Sequence, residues 1–241
     1  MIGLGTIINT LAVILGGLFG MMFGKFLTER HQDSLCLVCG VSTLFIGISG
    51  ALEKMMQVQG NVLVSGQTML IVISLTTGAL IGEILNIEDK FEAFGEWLKQ
   101  KSGNAKDTKF VNGFVTASLT ICIGAMAIVG SIQDGIQGDY SILATKAVLD
   151  FIIIMVMTCS MGKGCIFSAI PVALLQGSIT LLARAIKPIM TEGALFNLSL
   201  VGSVLIFCVG LNLVWGKKVR VANLLPALVV AVILSFLPIN L

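Results

Sequence analysis

Stretches of about twenty apolar residues recur along this chain, each long enough to cross a bilayer as a helix. On the length rule about eight spans are expected, at 3–23, 35–52, 62–82, 110–130, 142–161, 165–186, 193–215 and 221–238. Only 12% of residues are charged against 56% hydrophobic, about half the charged fraction of a soluble domain. The expected fold class is therefore all-α: a polytopic membrane helical bundle forming a single transmembrane domain over 1–241. The start, Met1-Ile2-Gly3, has neither a basic region nor a small-residue cleavage site, so no removable signal peptide is expected.

The loops alternate in charge. Loops 24–34, 83–109, 162–164 and 216–220 hold eleven of the 15 basic residues, and the remainder are Lys54, Lys146, Arg184 and Lys187. Basic loops stay cytoplasmic. That places these four inside a plasma (inner) membrane and both termini outside, with an even number of spans. Net charge of +2 points to no acidic partner, and nucleic-acid binding is not expected.

Asp150 is the most informative residue. It lies near the middle of the span ILATKAVLDFIIIMVMTCSM, and it is the only carboxylate that the pattern places well inside an apolar span. An ionisable group at that depth costs several kcal/mol unless paired, protonated or wetted, and by default marks an ion or proton pathway. Lys146 lies four residues earlier on the same face, so a plain structural ion pair is the competing interpretation.

Other polar groups offer themselves as partners. Asn9 and Thr10 lie in the first span, where each needs a partner. In the sixth span Pro171 removes a helix hydrogen bond and frees a carbonyl, and Gln176-Gly177 follows near the centre. A broken helix with an amide beside it suits cation coordination near the midplane, although proline kinks also serve purely structural ends. Gln133 and Asp134 fall at the outer end of a glycine-rich fourth span, as an outer entrance or a simple external turn. Asn197, Asn212 and Asn223 fit interhelical hydrogen bonding.

Gly16, Gly20 and Gly24, and again Gly78 and Gly82, recur at four-residue spacing that lets a neighbouring helix approach closely. Such faces pack the bundle or form a homo-oligomer. Segment 88–101 spaces Phe91, Phe94, Trp97 and Leu98 as an amphipathic helix, either lying in the cytoplasmic headgroups or packed as a connector. Spans one to three align loosely with spans six to eight, an odd offset that would make an inverted repeat of the transporter kind. The alternative is that apolar helices resemble one another by composition.

Cofactors and catalytic residues are not expected. Cys36-x-x-Cys39 has metal spacing, but no second cluster accompanies it and His31 is the sole histidine. Nothing resembles a nucleophile with its base, so an enzyme is not expected.

GTIIN at the start, CIGAMAIVGSIQDG in span four, KAVLD, LLQGSIT and RVANLLPAL occur together over the whole chain. In these segments the sequence resembles the YqgA/YdfK family of bacterial membrane proteins, domain-of-unknown-function family 554. The resemblance implies a bacterial inner-membrane protein suspected of ion transport and associated with biofilm effects, and it brings no site residues with it. The residues therefore point first to a transporter or channel for a small ion, most readily a monovalent cation (sodium or proton), held by Asp150. Gln176, Asn9 and the carbonyls near Pro171 would complete the shell, Lys146 would hold Asp150 ionised when no cation is bound, and Gln133 and Asp134 would sit at the outer mouth. The alternatives are a non-transporting scaffold or signalling protein acting on biofilm or envelope state, and a transporter of a small organic anion. The partners expected are a small ion or solute and the lipid bilayer.

Overall fold

The computed structural model describes residues 2–59, 62–123 and 125–237. The chain runs α1 (Leu4–Gly24), α2 (Glu29–Met55), strands β1 (Met56–Gln59) and β2 (Val62–Ser65), α3 (Thr68–Leu85), α4 (Ile87–Lys101), α5 (Phe110–Cys122), α6 (Ala125–Gln137) and α7 (Ser141–Met161). A 3-10 run at Lys163–Ser168 leads into α8 (Ala169–Leu181), α9 (Ala183–Ile186) and α10 (Glu192–Trp215), and a second, Val221–Leu224, leads into α11 (Pro226–Leu234). The architecture is an all-α polytopic bundle. The two strands form a small antiparallel hairpin, with Met56 opposite Ser65.

Six helices are long and apolar enough to cross a membrane, and α5 with α6 adds a seventh if that pair is one bent span. Among the described residues helix occupies most of each of the eight expected segments, but only six or seven reach spanning length, and three differ clearly from the expected bounds. The third starts at Thr68 rather than 62, because the residues before it pair as β2. The fourth is not one rod: α5 and α6 meet at 63°. The last, Val221–Leu234, is shorter than a full span, about 21 Å at 1.5 Å per residue against a ~30 Å core.

Chain ends of the helices follow local chemistry. Gly162 (φ 87°) and Gly216 (φ 77°) stop α7 and α10 in backbone conformations that a side chain disfavours. Thr191 caps α10 by accepting from the Ala194 N–H at 3.2 Å. Pro226 opens α11, where a missing N–H costs little.

The buried core joins Val13 of α1, Phe110 and Phe114 of α5, Ile154 and Met157 of α7, Val172 of α8 and Val201, Leu205 and Val209 of α10. Large apolar side chains such as Phe45, Leu80 and Ile84 face outward, as lipid, itself apolar, permits.

Glycines set the helix seams. Gly16, Gly20 and Gly24 lie against Phe151, Met155 and Cys159, four residues per step on both helices, so α1 and α7 run parallel in register. The other seams are antiparallel. Gly40, Gly47 and Gly50 of α2 meet Val214, Phe207 and Ser203 of α10, while Gly78 and Gly82 of α3 meet Ala227 and Asn223. Thr6 with Thr180 and Gly17 with Ile166 orient α1 against α8 and the turn before it in the same antiparallel sense.

A methyl group on Gly20 would sit 2.5 Å from the Met155 carbonyl oxygen, whereas one on Gly177 would meet nothing within 4 Å. Gly20→Ala is therefore expected to cost about 1–3 kcal/mol by overpacking. Gly177→Ala should be neutral or stabilising by up to ~1 kcal/mol, through its helix propensity. Thermal melts of the two variants in detergent, relative to wild type, check the contrast.

Candidate functional site

α7 carries Asp150 as the tenth of its 21 residues, about 13 Å along the helix from Ser141. Lys146 reaches both carboxylate oxygens, Nζ lying 2.7 Å from Oδ1 and 2.7 Å from Oδ2. The parallel seam with α1 brings up Asn9, whose Nδ2 donates to Oδ2 at 3.0 Å. Asp150 is 2% exposed, Lys146 7% and Asn9 0%, so the pair and its amide are withdrawn from solvent together. With its –NH₂ committed to the carboxylate, Asn9 turns its carbonyl oxygen the other way. No donor among the described residues reaches that Oδ1.

Gln176 lies on the facing helix, α8. Its Oε1 is likewise buried with no donor among the described residues. Thr6 Oγ1 lies 3.2 Å from Thr180 Oγ1, and Gly17 meets Ile166. Interpolating between these two antiparallel contacts sets Gln176 level with Asn9 and Thr10. Three expected residues (Asp150, Lys146 and Asn9) are thus in direct contact, and Gln176 lies at their level on the neighbouring helix.

Four others are placed differently. Thr10 turns back on its own helix, its Oγ1 donating to the Thr6 carbonyl at 2.8 Å. Pro171 does not break a helix at its centre. It is the third residue of α8, following the 3-10 run, where a ring in the first turn displaces no obligatory hydrogen bond. Gln133 is half-buried and lines a pocket of about 240 Å³ with Gln137 and Lys187. Asp134 is not exposed at a mouth: it is fully buried and accepts from the Gly3 and Gly5 N–H groups at 3.2 and 3.0 Å. A carboxylate suits that place, because the first N–H groups of α1 lack intrahelical partners and carry the positive end of its dipole.

Glu88 is the buried group that sequence patterning passed over. It is 3% exposed, its Oε2 accepts the Ala222 N–H at 2.8 Å, and its Oε1 lies 3.0 Å from Lys217 Nζ. Asn223 ties the same corner, accepting from the Glu88 N–H at 2.7 Å and donating to Glu83 at 2.8 Å. α4 is consequently a packed connector: Phe91 and Phe94 both contact the Phe114 ring, with centroids 5.8 Å apart. Trp97 alone of the aromatic set is strongly exposed. The signal available in sequence was the acidic first turn, Glu88-Asp89, opposite the Lys217–Arg220 loop. Asn197 and Asn212 do bridge segments, donating to the carbonyls of Ala231 at 3.1 Å and Val219 at 2.7 Å.

The profile of the family described as a protein of unknown function, DUF554, matches residues 4–236. The chain belongs to this family. It is 29% identical over 232 residues to the uncharacterized membrane protein YdfK of Bacillus subtilis, covering 96% of this chain and 95% of that protein. It is 30% identical over 239 residues to the uncharacterized protein YqgA of Escherichia coli, covering 96% of each. No solved structure matches the chain. The chain is a membrane protein of this family, and its relatives' descriptions assign no residues.

Removing Lys146 while keeping Asp150 leaves a buried carboxylate with one donor. Lys146→Met is expected to lower stability by about 3–5 kcal/mol, and Lys146→Met combined with Asp150→Leu to recover most of it. Melting of both variants in detergent reads the difference. At the Glu88 corner, burial works to lower the Lys217 pKa, but hydrogen bonds to Glu92 and Glu88 overcome it and hold the ammonium above its ordinary 10.5. Stability from this contact is complete below the ordinary value and is lost as pH rises through the raised one. Lys217→Ala should therefore destabilise at neutral pH and flatten the alkaline limb of a melting-versus-pH curve.

Proposed function

We propose that this protein is a transporter or channel for a small ion, best suited to a monovalent cation (sodium or a proton), with Asp150 as the membrane-embedded ion site. One observation carries this reading: a fully enclosed carboxylate is accompanied by two buried amide oxygens, Asn9 Oδ1 and Gln176 Oε1, that accept no hydrogen bond among the described residues. Buried acceptors without donors are costly. A carboxylate and amide oxygens are the donor types that a hard cation takes.

In the ion-free state the Lys146 ammonium neutralises Asp150 and holds it ionised. An arriving cation takes the ammonium's place on the carboxylate, and the amide oxygens of Asn9 and Gln176 replace part of its hydration shell. Where Lys146 releases a proton to water as it withdraws, charge balance makes cation binding sensitive to pH. The three antiparallel seams, α1 with α8, α2 with α10 and α3 with α11, bring together the helices that the sequence aligns as an inverted repeat. They support a two-fold arrangement with the site between its halves, the layout of many secondary transporters. The charge of the loops supports an orientation in a bacterial inner membrane with residues 24–34, 83–109, 162–164 and 216–220 on the cytoplasmic face and both termini outside.

A second reading is favoured by the completeness of the pair, since Lys146 already binds both oxygens of Asp150. On it, the protein is a scaffold or signalling component and the ion pair is structural. An organic anion is less well served, because the ammonium of Lys146 is committed to Asp150.

Ligand-dependent melting of the purified protein separates these readings. A cation that binds only the folded state at about 100 times its Kd adds ~2.7 kcal/mol. The expected outcome is that sodium, or a pH change for a proton, raises the melting temperature of wild type but not of Asp150→Asn. If no cation and no pH change moves wild type, and Asp150→Asn merely melts lower, the ion pair is structural.

A further inference from the structure

A cavity of about 560 Å³ enters the bundle from the side of the basic loops, between α2, α4, α5 and α10. Glu88, Glu92 and Lys217 stand at its mouth, and Leu119 and Val209 line it most deeply. On α5 the lining reaches Leu119, nine residues above Phe110, about 13 Å into the bundle at 1.5 Å per residue. At liquid density that volume corresponds to ~20 waters.

One face of α5 supplies the lining. Asn112, Val115, Thr116 and Leu119 all border the cavity at helical spacing, passing from exposed Asn112 through half-buried Thr116 to buried Leu119. The next position on this stripe is Cys122, three residues or ~4.5 Å further along the axis. Gly113 of α5 lies against Met161 at the end of α7, so α5 climbs beside the helix that carries Lys146 and Asp150. The face that lines the cavity thus runs on toward the level of the buried ion pair.

Among the described residues, the opposite end of the bundle is tied by direct contacts. Thr6 and Thr180 touch across α1 and α8, Asp134 binds the first N–H groups of α1, and Gly135 lies against the Thr180 carbonyl. The pocket at that end, lined by Gln133, Lys187 and Leu195, includes no residue of α1 or α7.

We propose that the cavity is a water-filled vestibule giving small hydrated cations access to Asp150 from the basic-loop side, with Leu119 marking its inner end and the Thr6–Thr180 and Asp134 contacts sealing the far side. What travels along it rests on Asp150 being the ion site; the existence of the watered route does not.

Cysteine labelling tests the route without any transport assay. Cys36 already lines the cavity. Full-length protein in right-side-out and inverted vesicles would be treated with a small cationic thiosulfonate, with Lys218→Cys marking the basic-loop face and modification read by peptide mass. The expected result is that Cys36, Thr116→Cys and Cys122 react only from the face that labels Lys218→Cys, while Thr6→Cys reacts from neither. Thr116→Trp, or prior capping of Thr116→Cys with a bulky reagent, should slow Cys122 at least tenfold and leave Cys36 unchanged, Cys36 also serving as the folding control. An unreactive Cys36 and Thr116→Cys would overturn the vestibule. A Cys122 unreached from that face, or indifferent to both plugs, would make the cavity a blind pocket and overturn the route. If the labelling succeeds while no cation shifts melting, the route stands and the ion-site assignment is what has failed.

Discussion

A carboxylate and an ammonium halfway along a bilayer-length helix depend on each other. Taking either one from water costs several kcal/mol even after relaxation, and only close, hydrogen-bonded contact offsets that cost. The i,i+4 spacing on α7 supplies the contact within a single element, so the pair is in place whenever that helix forms. A third donor must come from elsewhere. It comes from Asn9, and Asn9 reaches Asp150 only because α1 can lie directly on α7. The glycine stripe of α1 is thus a condition of the electrostatics: side chains at Gly16 or Gly20 would push α1 off the α7 backbone and pull the Asn9 amide away from the carboxylate.

The seams also explain where the bundle is open. Small residues close the α1–α7, α2–α10 and α3–α11 contacts to backbone distance. The space between α2, α5 and α10 has no such stripe facing it from α5, whose lining residues are two valines, an asparagine, a threonine and a leucine. Helices held apart by side chains of that size, with polar groups among them, leave room that water can occupy.

Periodicity and length revealed the spans, and the position of Asp150 and Lys146 on one face revealed the pair, because both are local properties of a single helix. What remained hidden was long-range. Asp134 looks like a loop acid in sequence, since nothing local says that the first N–H groups of α1, some 130 residues away, will need an acceptor there. Glu88 sits in an amphipathic pattern whose outward face is ordinarily solvated, and its burial follows from where the α10–α11 loop returns. Pro171 falls inside the expected span 165–186 because apolar composition begins at Cys165, within the 3-10 run Lys163–Ser168. The 3-10 geometry of that run shifts the start of the α-helix and turns a mid-helix break into an ordinary first-turn proline.

The asymmetry between the two ends of the molecule bears most directly on function. For a charge at mid-membrane the barrier is set by the length of low-dielectric path between it and water. On the sealed side that path is about half the bilayer. On the basic-loop side a watered vestibule reaching to Leu119 would shorten it to about one helical turn, with Cys122 and the orphaned Asn9 carbonyl lying beyond. A rigid structural pair gains nothing from water brought so near on one face only, since each step of hydration competes with the ion pair it approaches. A binding site that must exchange its cation with one compartment at a time requires that asymmetry. Contacts that close the far end are of a reversible kind: two hydroxyls, and a carboxylate on free N–H groups that water can also satisfy.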